Sequence, residues 1–140
     1  MNHYTMQELA LGMEACFSVT VTEEMLQKFL EISGDVNPLH TDTAFARAKG
    51  YPERIAHGML TASFYSTLVG MYLPGEHCLL WEVDSKFTAP VFVGDEVNVY
   101  GKVTEVNERL GFIRLKARIK NKEGKTVSRA VITAGVNDGT

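Results

Sequence analysis

The stretch that decides the fold runs from residue 58 to residue 73 and reads GMLTASFYSTLVGMYL. It is apolar nearly all round, and a helix without a polar face is normally buried. Its small residues would let a sheet approach closely. Pro74 and Gly75 then end the helix, because neither residue continues a helix well. The stretch therefore predicts a long buried helix with a sheet packed against it. The small residues are Gly58, Ala62, Ser63, Ser66 and Gly70.

Beyond this helix the chain alternates apolar and polar residues with a period of two. Between residues 113 and 120, Ile, Leu, Ala and Ile alternate with Arg, Lys, Arg and Lys. This pattern indicates a half-buried antiparallel strand. Residues 121–125 are a hairpin turn signal, and residues 127–136 form the return strand. Further strands are predicted at 79–87, 97–103 and 16–21. One buried helix and a long antiparallel sheet predict an α+β fold.

A shorter helix is predicted ahead of the central one. It starts near Thr20 or Thr22, because Thr20 and Glu23 have capping-box spacing, and Gly34 suits its C-terminal end. Met25, Phe29 and Ile32 fall at i, i+4 and i+7, which gives this helix one apolar face.

A second short helix is predicted across 43–49, closed by Gly50. The segments 35–40 and 51–57 are expected to be irregular. In the first of them, Pro38 lacks an amide hydrogen and disfavours helical backbone at Asn37.

The composition points to one soluble domain spanning residues 1–140. The net charge of −3 gives no basic footprint for nucleic acid, and no Lys- or Arg-rich run marks a membrane-surface patch. The chain starts without the basic and apolar regions of a signal peptide. No apolar run approaches the ~18 residues needed to span a bilayer. Cys16 and Cys78 lie far apart, so a cytoplasmic setting with reduced thiols is expected.

The clearest candidates for a chemical role are Asp35, Asn37 and His40, spaced D-x-N-P-x-H. A carboxylate and an imidazole this close can face one small volume and act as an acid–base pair. Asn37 could hold one of the two in orientation. The alternative reading is structural: Asp and Asn after a helix-ending glycine often make Asx turns, and His40 would then be a surface histidine.

The start of the central helix is the second candidate region. The sequence His57-Gly58-Met59 offers no Ser, Thr, Asp or Asn cap, so its first amide hydrogens are predicted to be free. Free amides at a helix N-terminus form an anion site, and Gly58 has no side chain to block a carbonyl oxygen. On spacing alone, His57 reads as a helix-start residue without chemistry. The four histidines form no zinc-binding spacing, and no metal is predicted.

Three segments carry a family resemblance: residues 33–40 with Ala44-Phe45-Ala46, residues 55–60, and residues 90–97, which follow the aromatic Phe87. Together they resemble the MaoC-like dehydratases and, within them, the R-specific enoyl-CoA hydratases. The resemblance implies a hotdog fold, in which an antiparallel sheet wraps around a long central apolar helix. It also implies a homodimer with a sheet continuous across the two subunits.

The resemblance implies hydration of trans-2-enoyl-CoA to (R)-3-hydroxyacyl-CoA, in a reversible reaction that needs no cofactor. Asp35 and His40 would activate water and move the proton, and the Gly58 amide would bind the thioester oxygen. Asn37, His57 and Ser66 would support the site. Ser63 lies one turn before Ser66 and competes for that assignment.

Three alternatives stay open at this point. A thioesterase could use the same fold, although such enzymes lack the D-x-N-P-x-H loop followed by H-G-M. A non-catalytic acyl-binding subunit would make Asp35 and His40 expendable. A dehydratase acting on acyl-carrier-protein thioesters would need a basic patch at the tunnel mouth, for which Lys86, Arg47 and Arg54 are candidates.

Overall fold

A computed structural model describes residues 1–139 of the chain. Strands dominate its second half, and helices and loops its first half. Gly58–Thr67 continues directly into a π-helical segment at Leu68–Tyr72, and a short 3-10 turn occupies Met6–Glu8. The helices are α1 (Glu23–Ser33), α2 (Pro38–Thr41), α3 (Thr43–Ala48) and α4 (Gly58–Thr67), and the strands are β1 (Glu14–Thr20), β2 (Cys78–Phe87), β3 (Glu96–Asn107), β4 (Phe112–Asn121) and β5 (Thr126–Val136).

The five strands form one antiparallel sheet in the order β1-β3-β4-β5-β2. The edge strands are therefore β1 and β2, which flank the chain's two long hairpins. The turn at residues 121–125 forms as predicted, with Gly124 in the left-handed region at φ 80°. The sheet wraps around α4, which confirms the predicted α+β hotdog fold.

The core lies between α4 and one face of the sheet. Alternate residues of β4 are buried, while Arg114, Lys116 and Arg118 on the other face are exposed. The sheet approaches α4 closely at Gly101, where an added Cβ would lie 2.6 Å from Leu68 Cδ2. The glycine that permits this approach lies in the sheet, whereas the prediction placed the decisive small residues on the helix.

The prediction that the central helix is buried all round is wrong for one stripe. The sheet covers only part of the helix surface, where Leu60, Phe64, Tyr65 and Leu68 are buried. The uncovered residues 59, 63, 67 and 71 recur every four positions, and residue 66 follows residue 63 by three, so they share its other side. They are Met59, Ser63, Ser66, Thr67 and Met71.

The structure decides between the two predicted starts of α1 and corrects its predicted apolar face. Thr22, not Thr20, is the N-cap, and its hydroxyl accepts a hydrogen bond from the Met25 amide at 3.2 Å. Thr20 is instead the last residue of β1, where strand pairing overrides the capping-box signal. Ile32 does not join the apolar face but is 84% exposed, and Leu26 is the buried residue of this helix.

The segment 35–40 is more regular than predicted, because α2 begins at Pro38. Proline is tolerated in the first position of a helix, where its missing amide hydrogen would have no helical partner. Asn37 adopts the extended conformation expected before proline and caps the turn. No helix in the described residues has the length and apolar character to cross a bilayer.

Candidate active site

The one-turn helix α2 positions His40. The Asn37 side chain caps this turn by accepting a hydrogen bond from the Leu39 amide at 2.9 Å. The His40 ring is held at its other end by a 2.6 Å hydrogen bond between Nδ1 and the Ile55 carbonyl oxygen. A carbonyl oxygen only accepts, so Nδ1 carries the hydrogen. His40 Nε2 is thereby left with a lone pair that can take a proton.

Asp35 enters the site directly after the end of α1. Gly34 turns the chain at φ 74°, in the left-handed conformation expected of a helix C-terminus. One oxygen of Asp35 accepts a hydrogen bond from the Asn37 amide at 3.1 Å, which makes an Asx turn. The other oxygen lies 3.8 Å from His40 Nε2. The Asx turn, which the sequence offered as the alternative to an acid–base pair, thus forms while Asp35 stays beside His40.

His57 contacts both of these residues from a buried position. It is only 2% exposed, and its Nε2 donates to the main-chain oxygen of Asp35 at 3.0 Å. Its ring stacks on the His40 ring, with centroids 3.9 Å apart and planes 26° apart, and it contacts Phe29 at 4.9 Å. Its Nδ1 has no hydrogen-bond partner within the described residues. These contacts suit a residue that positions Asp35 and His40.

The polar atoms of Asp35, His40 and His57 lie within 4.8 Å of one another. A metal ion binds a histidine in the plane of its ring. The two stacked rings present nearly parallel planes, so their lone pairs do not converge on one nearby point. The cluster is therefore better arranged for proton transfer than for a four-coordinate ion. The absence of a metal stays a prediction.

A cavity of about 440 Å³ lies between the start of α4 and the end of β2. Its walls include both His40 and Gly58. The N-terminus of α4 has no side-chain cap, and the Gly58 amide has no acceptor among residues 1–139. A Cβ at residue 58 would lie 3.3 Å from the Phe87 ring, which closes this side of the cavity. The remaining wall is mostly apolar, with Ile55, Ala56, Val91 and Val127 among its residues.

Three predicted residues take different places relative to this cavity. Asn37 acts through the cap of α2, and Asp35 lies beside His40 with half of its side chain exposed. Ser66 lies on the exposed stripe of α4, two turns beyond Gly58 and so about 12 Å along the axis. Its supporting role stays a prediction.

Sequence reasoning missed the Ile55 carbonyl as the partner of His40, and it missed Thr61. The Thr61 hydroxyl donates to the Gly58 carbonyl oxygen at 2.7 Å and also lines the cavity. No side-chain pattern marks a backbone acceptor such as Ile55, whereas Thr61 lies one turn after Gly58 and could have been noticed.

The arrangement joins a base, a carboxylate and a free backbone donor around one apolar cavity. His40 Nε2 can accept a proton, and a carboxylate oxygen of Asp35 lies 3.8 Å from that nitrogen. The Gly58 amide can stabilise negative charge on an oxygen. Such a set suits proton transfer beside a carbonyl group whose oxygen becomes negative during the reaction.

Comparison with known proteins matches residues 8–128 to the MaoC like domain. The chain is 38% identical over 118 residues to the (R)-specific enoyl-CoA hydratase of Aeromonas caviae. That alignment covers 84% of this chain and 88% of the relative. It is 33% identical over 114 residues to the (R)-specific enoyl-CoA hydratase of Rhodospirillum rubrum. That alignment covers 81% of this chain and 78% of the relative.

Among solved structures, an R-hydratase of Pseudomonas aeruginosa superposes with a TM-score of 0.90 at 33% identity. The alignment covers 96% of this chain and 86% of that one. The family model extends over most of the sequence, and the Pseudomonas aeruginosa structure shares the fold over 96% of this chain. The chain therefore belongs to the MaoC-like domain family.

Proposed function

We propose that this protein hydrates trans-2-enoyl-CoA to (R)-3-hydroxyacyl-CoA, and catalyses the reverse dehydration, with Asp35 and His40 as its acid–base pair. The named activity of the two hydratase relatives supports the reaction and its stereochemistry. The observation that carries the assignment of residues is that His40 and Gly58 line the same apolar cavity, with Asp35 beside His40.

The proposed reaction follows from these positions. The thioester oxygen accepts a hydrogen bond from the Gly58 amide, which draws electrons toward the carbonyl group. Asp35 and His40 together take a proton from water as its oxygen bonds to the β-carbon. The double-bond electrons move to form an enolate, whose negative oxygen is stabilised at Gly58. The proton then returns from the pair to the α-carbon, so that water has been added without any cofactor. Coenzyme A enters and leaves as part of the substrate.

The supporting residues act through the catalytic ones in this proposal. Asn37 fixes α2 and therefore the His40 ring, and His57 holds the Asp35 main chain. The supporting role of Ser66 stays a prediction, because this residue lies on the exposed stripe of α4, two turns beyond Gly58.

The test is the loss of enoyl ultraviolet absorbance when the purified protein meets crotonyl-CoA. We expect rapid loss with the unchanged protein, and a turnover lower by at least about a hundredfold in Asp35→Asn and in His40→Ala, the scale of general acid–base catalysis. Thermal melting would verify that each variant is folded. A folded variant with near-full activity would remove that residue from the mechanism.

Two further measurements in this assay separate the alternatives. A thioesterase would release free coenzyme A, which a thiol reagent detects, whereas a hydratase would not. Chiral analysis of the product should give the R isomer. If neither water addition nor thiol release occurs with crotonyl-CoA or with longer enoyl-CoA esters, the non-catalytic reading replaces the proposal.

An acidic carrier protein would need a basic patch, but the residues predicted to form it make other contacts or lie elsewhere. Arg54 is held by Glu23 and Glu53, and Arg47 donates to the Pro52 carbonyl oxygen. Lys86 is on the outer face of the sheet. Coenzyme A thioesters therefore remain the proposed substrates.

We also infer a homodimer formed through β2 and the exposed stripe of α4. As an edge strand, β2 leaves a row of backbone groups unpaired, which invites pairing with another strand. It also exposes Leu79, Leu80 and Trp81 at 60%, 40% and 50%. A second copy pairing with β2 would extend the sheet and cover these side chains.

A cytoplasmic location is the last part of the proposal. Cys16 and Cys78 are both free, as expected in a reducing compartment. Burial raises the pKa of the Cys78 thiol to about 11, which makes it an unreactive packing residue.

A further inference from the structure

The outer face of the sheet carries a groove that takes no part in the proposed hydration. Gly101 directs its missing Cβ toward Leu68, just beyond the end of α4, so its strand neighbours Tyr100 and Lys102 point the opposite way. The groove runs across the strands between two rows of such outward side chains and has a volume of about 890 Å³. It is therefore separated by the sheet from the cavity at His40.

The two rows bring like charges directly opposite one another. In one row, Arg118 of β4 faces Arg129 of β5, which in turn faces Lys86 of β2. In the other row, Lys102 of β3 faces Lys116 of β4. Like charges directly opposite in a sheet are destabilising. These five residues, named here the cationic groove, therefore repel one another and destabilise the sheet. A bound anion would reduce that repulsion.

The charges of the cationic groove are only partly offset by the protein itself, since Glu14 is the cross-strand neighbour of Lys102. None of its five cations forms an ion pair with an acid in the described part of the chain. Glu14 and Asp84 are the acids in its lining, which leaves an excess of three positive charges from five cations and two acids. The whole chain carries a net charge of −3, so positive charge is concentrated on this face.

The shape and chemistry of the cationic groove indicate the size of its ligand. Its volume lies in the range of small-molecule sites, which are about 300–1,000 Å³. Arg118 lies over the Tyr100 ring, with its guanidinium carbon 5.2 Å from the centroid. Guanidinium and aromatic groups are the usual platforms for nucleobases, and Arg is well suited to phosphate. A second copy of the chain docking here through a two-fold axis would place cations against cations.

We propose that the cationic groove binds a nucleoside polyphosphate, with its phosphates on Arg118, Arg129 and Lys86 and its base beside Tyr100. The row of three cations spans two inter-strand gaps, about 10 Å, and the long Arg and Lys side chains can bend toward one polyphosphate group within that span. This site is separate from the catalytic cavity, and it does not depend on the hydratase proposal.

The experiment measures adenosine diphosphate binding to the intact protein by equilibrium dialysis at low salt. We expect saturable binding at one ligand per chain, competition by inorganic pyrophosphate, and none by adenosine. Arg118→Ala combined with Arg129→Ala should weaken the affinity by at least about tenfold, as expected when charge-assisted contacts are lost. Lys122→Ala combined with Lys125→Ala removes the same charge from the 121–125 turn and should leave the affinity unchanged.

The same variants distinguish this site from the catalytic cavity. Crotonyl-CoA hydration by the Arg118/Arg129 variant should equal that of the unchanged protein, and its melting temperature should show that it is folded. Three results would overturn the proposal. These are no binding of adenosine diphosphate, equal weakening in the lysine control variant, and tighter binding of a longer DNA oligonucleotide through the same arginines, which would indicate a general polyanion surface.

Discussion

At the scale of the residue, His57 is the side chain whose role on spacing alone differs most from its place in the structure. It reads as a helix-start residue in the sequence, yet it is buried beneath the pair it supports. Its Nε2 donates to the Asp35 main-chain oxygen, and its ring stacks on His40. It does not line the cavity itself, so in the proposed mechanism it acts through Asp35 and His40.

Replacement of His57 by Phe should keep the ring and remove the hydrogen bond to Asp35. We expect a decrease in kcat of about tenfold, the kinetic equivalent of one lost hydrogen bond, with a small change in KM. His57→Gln retains an N–H donor and should recover part of the loss. A folded His57→Phe variant with unchanged kcat would show that His57 only fills space.

At the scale of the element, the side chain of residue 37 caps the single turn of α2 and thereby fixes the orientation of the His40 ring. Asn37→Ala removes the acceptor for the Leu39 amide, a loss that costs about 1 kcal/mol at a helix N-cap. We expect lower turnover of crotonyl-CoA, because the His40 ring loses its fixed orientation.

Asn37→Ser is the matched control for this prediction, since serine caps helices about as well as asparagine and adds no charge. It should retain most of the activity. Equal loss in the alanine and serine variants would mean that the amide group itself contacts the reaction, and that the cap is incidental.

The central helix and the sheet are joined by one buried polar contact, in which the Tyr65 hydroxyl donates to the Ser128 hydroxyl at 2.7 Å. Burial raises the pKa of Tyr65, so it stays protonated as a donor. Tyr65→Phe leaves the Ser128 hydroxyl buried without its partner and should lower the free energy of unfolding by about 1–3 kcal/mol.

A double-mutant cycle in urea would test that contact. Adding Ser128→Ala to Tyr65→Phe removes both polar groups, so the double variant should be less destabilised than the sum of the two single variants. Additive losses would show that the two hydroxyls are energetically independent.

At the scale of the whole molecule, the exposed stripe of α4 beside the β2 edge predicts the assembly. Unchanged protein should sediment at twice the 15.5 kDa of the chain. Ser63→Arg places a charge in the stripe and should shift the protein toward the 15.5 kDa species, because burying an unpaired charge at an interface is costly.

Ile32→Arg is the control for this assembly prediction. Ile32 is 84% exposed on α1, and the same charge there should leave the sedimentation unchanged. A monomeric unchanged protein, or equal dissociation by both variants, would contradict the proposed interface. The extent of the domain, residues 1–140, likewise stays a prediction.

The sequence by itself determined the parts of this protein that depend on local patterns. Period-two alternation indicated β4 and β5 because a strand sends successive side chains to opposite faces. The apolar stretch after Gly58 indicated the central helix, and the D-x-N-P-x-H spacing brought Asp35 near His40 because five residues cannot separate them far.

Only the tertiary structure decided which surfaces meet. The sequence offered both a strand and a helix cap for Thr20, and pairing with β3 decided for the strand. Ile32 stayed exposed because nothing packs on that side of α1. The stacking of His57 on His40 and the opposition of Arg118, Arg129 and Lys86 depend on contacts between residues distant in the chain. Such contacts follow from packing and strand register, which no local spacing specifies.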